Sequence, residues 1–150
     1  MKGRGAQINP DNPFSKHRSA RHPDLTFSKP VEEVNTEYLE THAKTIINKV
    51  DSPDIGLEYS MNPYQGCEHG CVYCYARNTH PYWGYSAGID FESKILVKRD
   101  APQLLTKKLS NPNWVVAPIM LSGNTDCYQP VEAKLKITRQ LLEVLERFHH

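Results

Sequence analysis

Cys67, Cys71 and Cys74 lie within eight residues of one another in the stretch NPYQGCEHGCVYCY, residues 62–75, and account for three of the chain's four cysteines. Their spacing is C-x3-C-x2-C. Four kinds of chemistry use thiols so closely packed. A structural zinc ion takes four protein ligands in a closed tetrahedron, and His69 or His80 would have to complete the set. A redox disulfide needs only two of the three. A group of buried structural thiols seldom concentrates three in so short a run. An iron–sulfur cluster is held by thiolates on short loops. With three of them, one iron keeps no protein ligand and stays open to a substrate or cofactor, as a catalytic zinc does. This last reading accounts for the number three. Gly66 and Gly70 would let the backbone curl round a bulky group without a Cβ in the way.

The elements that must position this loop are short. IGLEYSM, 55–61, alternates enough to be a strand, and Asn62-Pro63 ends it just before the cysteines. The loop would then leave the C-terminal end of a strand, where α/β folds place their chemistry. Residues 75–93 are rich in aromatics and glycine and read as a loop with little regular structure. KILVK, 94–98, reads as a short strand. Asp100 is a candidate N-cap for a helix of about ten residues, with Pro102 in its first turn. WVVAPIMLSG, 114–123, is the most apolar run in the chain and predicts a buried, parallel strand over 118–122, because Pro118 cannot donate to a ladder. From 131 to 149, Leu135, Leu141, Leu142, Leu145 and Phe148 recur at helical spacing, while Glu132, Lys136, Arg139, Glu143 and Arg147 take the outer face, which predicts one amphipathic helix. Residues 31–50 are ambiguous: Glu32 to Ala43 suit a helical turn or two, and Thr45-Ile46-Ile47 a short strand.

The order strand, cysteine loop, helix, strand, helix is two successive β–α units of an α/β fold. Two units close nothing, since a (β/α)8 barrel takes about 250 residues. The 150 residues therefore read as the N-terminal part of a longer protein. Residues 1–50 are an N-terminal extension in this reading, and 51–150 the start of the core domain.

Bulk composition sets outer bounds. Charged residues make up 23% and the net charge is +1, which suits a globular chain. No run of ~18 apolar residues exists to span a membrane, and the N-terminus lacks the apolar stretch of a secretory signal. The expected location is the cytoplasm, where thiols stay reduced and clustered cysteines serve metals more than disulfides. Charge is uneven: residues 1–30 carry six basic side chains against two acidic ones, a net of +4. Such an arm could lie on a nucleic-acid backbone. Pro10, Pro13, Pro23 and Pro30, with Phe14 and Phe27, favour instead an extended arm laid on its own protein.

C-x3-C-x2-C with Tyr73 before the third cysteine resembles the signature of the radical S-adenosylmethionine superfamily. KGRGA at 2–6, DSPDIG at 51–56, NPYQGCEHGCVYCYAR at 62–77, SAGIDFESKI at 86–95 and TDCYQPVE at 125–132 resemble its DNA-repair-photolyase-like branch, related to spore photoproduct lyase. The resemblance implies a fold, the first two β–α units of a partial TIM-like barrel. It implies a [4Fe–4S] cluster on Cys67, Cys71 and Cys74, whose fourth iron chelates S-adenosylmethionine. Reductive cleavage of that cofactor would give a 5′-deoxyadenosyl radical, which abstracts hydrogen from substrate. Tyr73 would lie near the adenine. Ser122-Gly123-Asn124-Thr125-Asp126 occupies the place of the family's Gly-Gly-Glu-like motif but departs from it. Gly123, Asn124, Thr125 and Asp126 are thus candidates for receiving the cofactor, and they equally suit an ordinary strand-to-helix turn. A flavodoxin or ferredoxin would supply the electron, and the branch suggests lesion-bearing DNA as substrate. The rival expectation is a zinc- or nucleic-acid-binding module without catalysis. Cys127 reads as a free, partly buried thiol, and His69 and His80 as hydrogen-bonding loop residues. Tyr75, Tyr82, Trp83 and Tyr85 read as covers for the cluster or a local core before they read as base-stacking groups.

Overall fold

The computed structural model describes residues 5–15, 35–52, 54 and 56–150. Among them, six short strands form two three-stranded sheets, with residues of α-helices in the same apolar core. In the first sheet β5 (Lys94–Val97) is central. It pairs in parallel with β1 (Glu37–Glu40) and antiparallel with β4 (Tyr64–Gln65). Its sequence KILV is apolar at consecutive positions, and Ile95, Leu96 and Val97 are all buried, as befits a strand covered on both faces. In the second sheet β3 (Tyr59–Met61) is central, antiparallel to β2 (Ile47–Lys49) and parallel to β6 (Ile119–Leu121). The protein is therefore mixed α/β, and the two strands predicted to be parallel neighbours, β3 and β6, are so.

Asn62 and Pro63 carry the chain from one sheet to the other. The buried Lys98 ammonium donates to Asn62 O at 2.9 Å, and the Lys98 N–H donates to Pro63 O at 3.1 Å. Burial holds the Lys98 pKa below its ordinary value. One apolar core spans both sheets: Ile46, Met61, Ile95 and Val97 meet Leu105 of α2 (Ala101–Leu109) and Leu141 of α4 (Ile137–Arg147). Each such side chain contributes roughly 1.5–3 kcal/mol by leaving water.

Several expectations from the sequence need correction. The segment 75–93 is not structureless: a 3-10 helix runs Tyr75–Trp83 and α1 covers Ile89–Ser93. Glu37–Glu40 is a strand, where a helical turn was a candidate; Glu32 lies outside the described residues. The loop does not follow the 55–61 strand directly, because β4 intervenes. The strand at 119–121 is only half-buried, and Val115 and Val116 before it are exposed. The helix predicted over 131–149 is two, α3 (Glu132–Leu135) and α4, broken at Lys136, whose φ is 53°. Glu132 is the cause. It was expected to face out, yet it is buried, takes the Tyr64 hydroxyl, and accepts the N–H groups of Thr138 at 3.1 Å and Arg139 at 3.2 Å. It so caps α4 from outside that helix. Leu142, expected inward, is exposed, and Ile137 and Val144 are buried in its stead.

Residues 5–15 lie along the 75–93 segment. Ile8 O accepts the Ile89 N–H, the Asn9 side chain bonds Asp90 in both directions, and Pro10 O accepts the Ser86 hydroxyl. Phe14 stacks on Tyr82 at 4.8 Å. This described part of the arm packs on its own protein, as expected for Phe14; Pro23, Phe27 and Pro30 lie outside the described residues. Among the described residues, no helix is long and apolar enough to cross a membrane.

Candidate functional site

β4 ends at Gln65, and the chain turns through Gly66, at φ 80°, into the cysteine loop. A Cβ on Gly66 would meet the carbonyl oxygens of Lys94 and Phe91 at 3.0 Å, so the turn needs glycine on two counts. The Cys67 N–H donates to Phe91 O at 2.9 Å, the Gly70 N–H to Cys67 O at 3.3 Å, and the Cys74 N–H to Cys71 O at 3.2 Å. All four cysteines are free thiols. Cys67 is buried and packs with Ala76, Phe91 and Cys74. Burial pushes its thiol pKa up, while the backbone N–H groups of His69 and Asp126 pull it back. Cys71 and Cys74 are partly exposed. Among the described residues, no three His, Cys, Asp or Glu side chains converge as a bound metal ion would need.

The second predicted segment does come to the loop. Gly123 O accepts the Tyr75 hydroxyl, the Asp126 carboxylate pairs with His69 at 3.2 Å, and Gln129 bridges the Glu68 N–H and Gly66 O at 3.2 Å each. The turn itself is tied down from below. Asn62 Oδ1 accepts the Asn124 N–H at 2.9 Å, and the Thr125 hydroxyl donates to Tyr64 O at 2.9 Å. Ser122, which opens the turn, has φ 68°, a left-handed conformation that a side chain adopts at a cost and that clusters at functional sites. Gly123 and Asp126 thus meet the segment that carries the three cysteines, whereas Asn124 and Thr125 bond Asn62 and Tyr64 before it.

Other candidates are placed differently. Tyr73 is 87% exposed, with Val72 beside it at 69%. Tyr75, Tyr82 and Trp83 are also exposed, so they do not fill a local core. His69, expected to be a hydrogen-bonding loop residue, lies in the loop with its ring beside the Asp126 carboxylate. His80, expected to be a hydrogen-bonding loop residue, instead lies on the buried face of the 3-10 helix, against Tyr85 and edge-on to Phe91, with neither ring nitrogen hydrogen-bonded among the described residues. Burial lowers its pKa to about 4, so it is neutral near pH 7. Cys127 is buried, its carbonyl bonded by the Thr138 hydroxyl.

Sequence reasoning missed Arg77. Its guanidinium is nearly buried and donates to Gly70 O at 2.9 Å, Cys71 O at 3.0 Å, Gly88 O at 3.2 Å and Ala87 O at 3.3 Å. It also pairs with the Glu92 carboxylate and lies 5.1 Å over the Phe91 ring. The only signals in the sequence were an arginine three residues after the third cysteine and a glutamate directly after Phe91.

The chain is similar to an uncharacterized protein of Mycobacterium tuberculosis, 34% identical over 107 residues, which are 71% of this chain and 32% of that protein. The same figures hold for an uncharacterized protein of Mycobacterium bovis. An uncharacterized protein of the archaeon Methanocaldococcus jannaschii is 32% identical over 111 residues, 74% of this chain and 39% of the relative. The chain spans about a third of the length of these curated relatives. No family model matches the chain, and no solved structure matches it.

Proposed function

We propose that Cys67, Cys71 and Cys74 hold a [4Fe–4S] cluster, and that the protein is a radical S-adenosylmethionine enzyme built on the opening β–α units of a partial TIM-like barrel. The observation that carries this reading is the facing pair of segments. Three free thiols sit on one loop, and a polar turn, 122–126, is hydrogen-bonded across from them. The donor set suits the group, because thiolates are the ligands iron–sulfur clusters take. Cys127, buried and outside the loop, is left out of the set in this reading, which leaves three thiols and so one iron open. Cys67, Cys71 and Cys74 would hold the cluster, and the partly exposed side chains of Cys71 and Cys74 are the ones that could turn toward it.

The chain's own residues then divide the work. Cys67 supplies the buried end of the ligand set, and the N–H groups of His69 and Asp126 favour its thiolate. Asn62 and Tyr64 fix the turn through Asn124 and Thr125. The Gly123 backbone and the Asp126 carboxylate, bonded here to Tyr75 and His69, would exchange those partners for the amino group of the cofactor, and Tyr73 would meet the adenine. When bound, the cluster supplies an electron that cleaves a carbon–sulfur bond of S-adenosylmethionine and so starts hydrogen abstraction from a substrate. The resemblance brings with it a flavodoxin or ferredoxin as reductant and lesion-bearing DNA as substrate.

Anaerobic reconstitution with iron and sulfide tests the reading. About four irons per chain are expected, lost in Cys67→Ala, Cys71→Ala and Cys74→Ala and kept in Cys127→Ala. One tightly held zinc per chain, stripped by His69→Ala or His80→Ala, would favour the non-catalytic zinc module instead.

A further inference from the structure

We infer that the N-terminal segment from Gly5 to Phe14 is a strap belonging to the cysteine site, and that Arg77 and Glu92 are the positioning residues through which it acts. The inference goes beyond the cluster reading, for it concerns the shape of the loop whatever the loop binds. The loop turns two consecutive carbonyls, Gly70 O and Cys71 O, toward the back of the site. Arg77 binds both. The same guanidinium reaches Ala87 O and Gly88 O, and so ties the loop to the start of α1.

The strap completes the arrangement from the outside. The Gly5 N–H donates to Gly70 O at 3.0 Å, the carbonyl that Arg77 also holds. The Ala6 N–H donates to Glu92 Oε1 at 2.7 Å, the oxygen that Arg77 pairs with. Strap and guanidinium thus share both partners. Beyond them, Ile8, Asn9, Pro10 and Asn12 bond the segment 81–90, and Phe14 stacks on Tyr82. A segment this polar, with Ile8 and Phe14 both largely exposed, gains little from apolar burial. What it fixes is direction: a carbonyl with two donors cannot swing, and Cys71 is the next residue.

Close approach gives a clean way to lift the strap. A Cβ on Gly5 would stand 2.1 Å from Gly70 O and 2.6 Å from a Val72 methyl. Gly5→Ala therefore forces the strap off the loop and leaves the buried Arg77–Glu92 pair intact. Removing Arg77 itself would strand a buried carboxylate and endanger folding.

The experiment is alkylation of the metal-free full chain with iodoacetamide, read cysteine by cysteine by mass spectrometry. Cys127, buried and bonded through its carbonyl to Thr138, is the internal control. In Gly5→Ala, and in a chain lacking residues 2–8, Cys71 should react roughly fivefold faster, the worth of about one net hydrogen bond, while Cys127 keeps its rate. Glu92→Gln, which keeps the shape but weakens the charge pairing, should give a smaller rise at Cys71. An unchanged Cys71 rate in Gly5→Ala overturns the inference. So does a parallel rise at Cys71 and Cys127, which would mean that the segment merely stabilises the whole fold. Because no metal is present, these outcomes stand apart from success or failure of cluster reconstitution.

Discussion

Leu105 and Leu141 are fully buried where α2 and α4 meet the sheets, among Ile46, Met61, Ile95 and Val97. The cysteine loop stands in contrast. It leaves Val72 and Tyr73 in solvent and is fixed by donors from Arg77, Gln129 and Gly5. The first region is held by non-directional apolar burial, which decides that the elements pack but tolerates changes of shape at constant volume. The second is held by hydrogen bonds, which add little net stability each but fix where every carbonyl and N–H points. A loop that must take up a group larger than any side chain is better shaped than filled.

The largest expected effect breaks the apolar side alone. Leu105→Ala or Leu141→Ala should cost about 2–5 kcal/mol, measured as a lower urea midpoint. In the folded fraction Cys71 should still alkylate at the native rate; a faster rate would show that the loop borrows its shape from the core after all.

A second effect probes the boundary between the two regions. His80 titrates near pH 4 in the folded protein, below its ordinary 6.5, because burial disfavours the imidazolium. The unfolded chain therefore takes up this proton first as the pH falls. The contribution is complete above pH 6.5 and is lost between there and about pH 4, by roughly 3 kcal/mol. Urea midpoints across that range should show the decline, and His80→Gln should flatten it. A stability curve identical for both proteins would mean that the buried ring is not the group titrating.

The smallest effect is a control on the helical face. Arg139 and Glu143 pair at 3.0 Å with both side chains more than half exposed. Arg139→Ala should shift stability by less than about 0.5 kcal/mol, because exposed pairs are screened and cost side-chain freedom.

The same division explains what could be read from sequence. α2 was legible: Pro102 and the run QLLTKKL carry local signals of a helix start and an apolar stripe, and the helix runs Ala101–Leu109, but the expected N-cap Asp100 makes no side-chain capping bond. β6 was legible from PIML and β5 from KILV. β1 and β4 were not, since strands of four and two residues show no period and exist only because β5 lies between them. The break at Lys136 was hidden because its cause is a tertiary contact of Glu132 with Tyr64, and periodicity sees only one face of one helix. At the site, the cysteines and the 122–126 turn announced themselves by residue type and spacing. Arg77, Glu92 and Gly5 did not, because their role lies in main-chain partners as many as 86 positions away.

Whether the three cysteines act as one ligand set with one iron left open is tested most directly by the 57Fe Mössbauer spectrum of the anaerobically reconstituted protein, recorded with and without S-adenosylmethionine. The account predicts a four-iron cluster in which about a quarter of the iron signal, the one site without a thiolate, shifts when the cofactor is added. Protein that takes up no iron, or a cluster whose spectrum ignores S-adenosylmethionine, would contradict it.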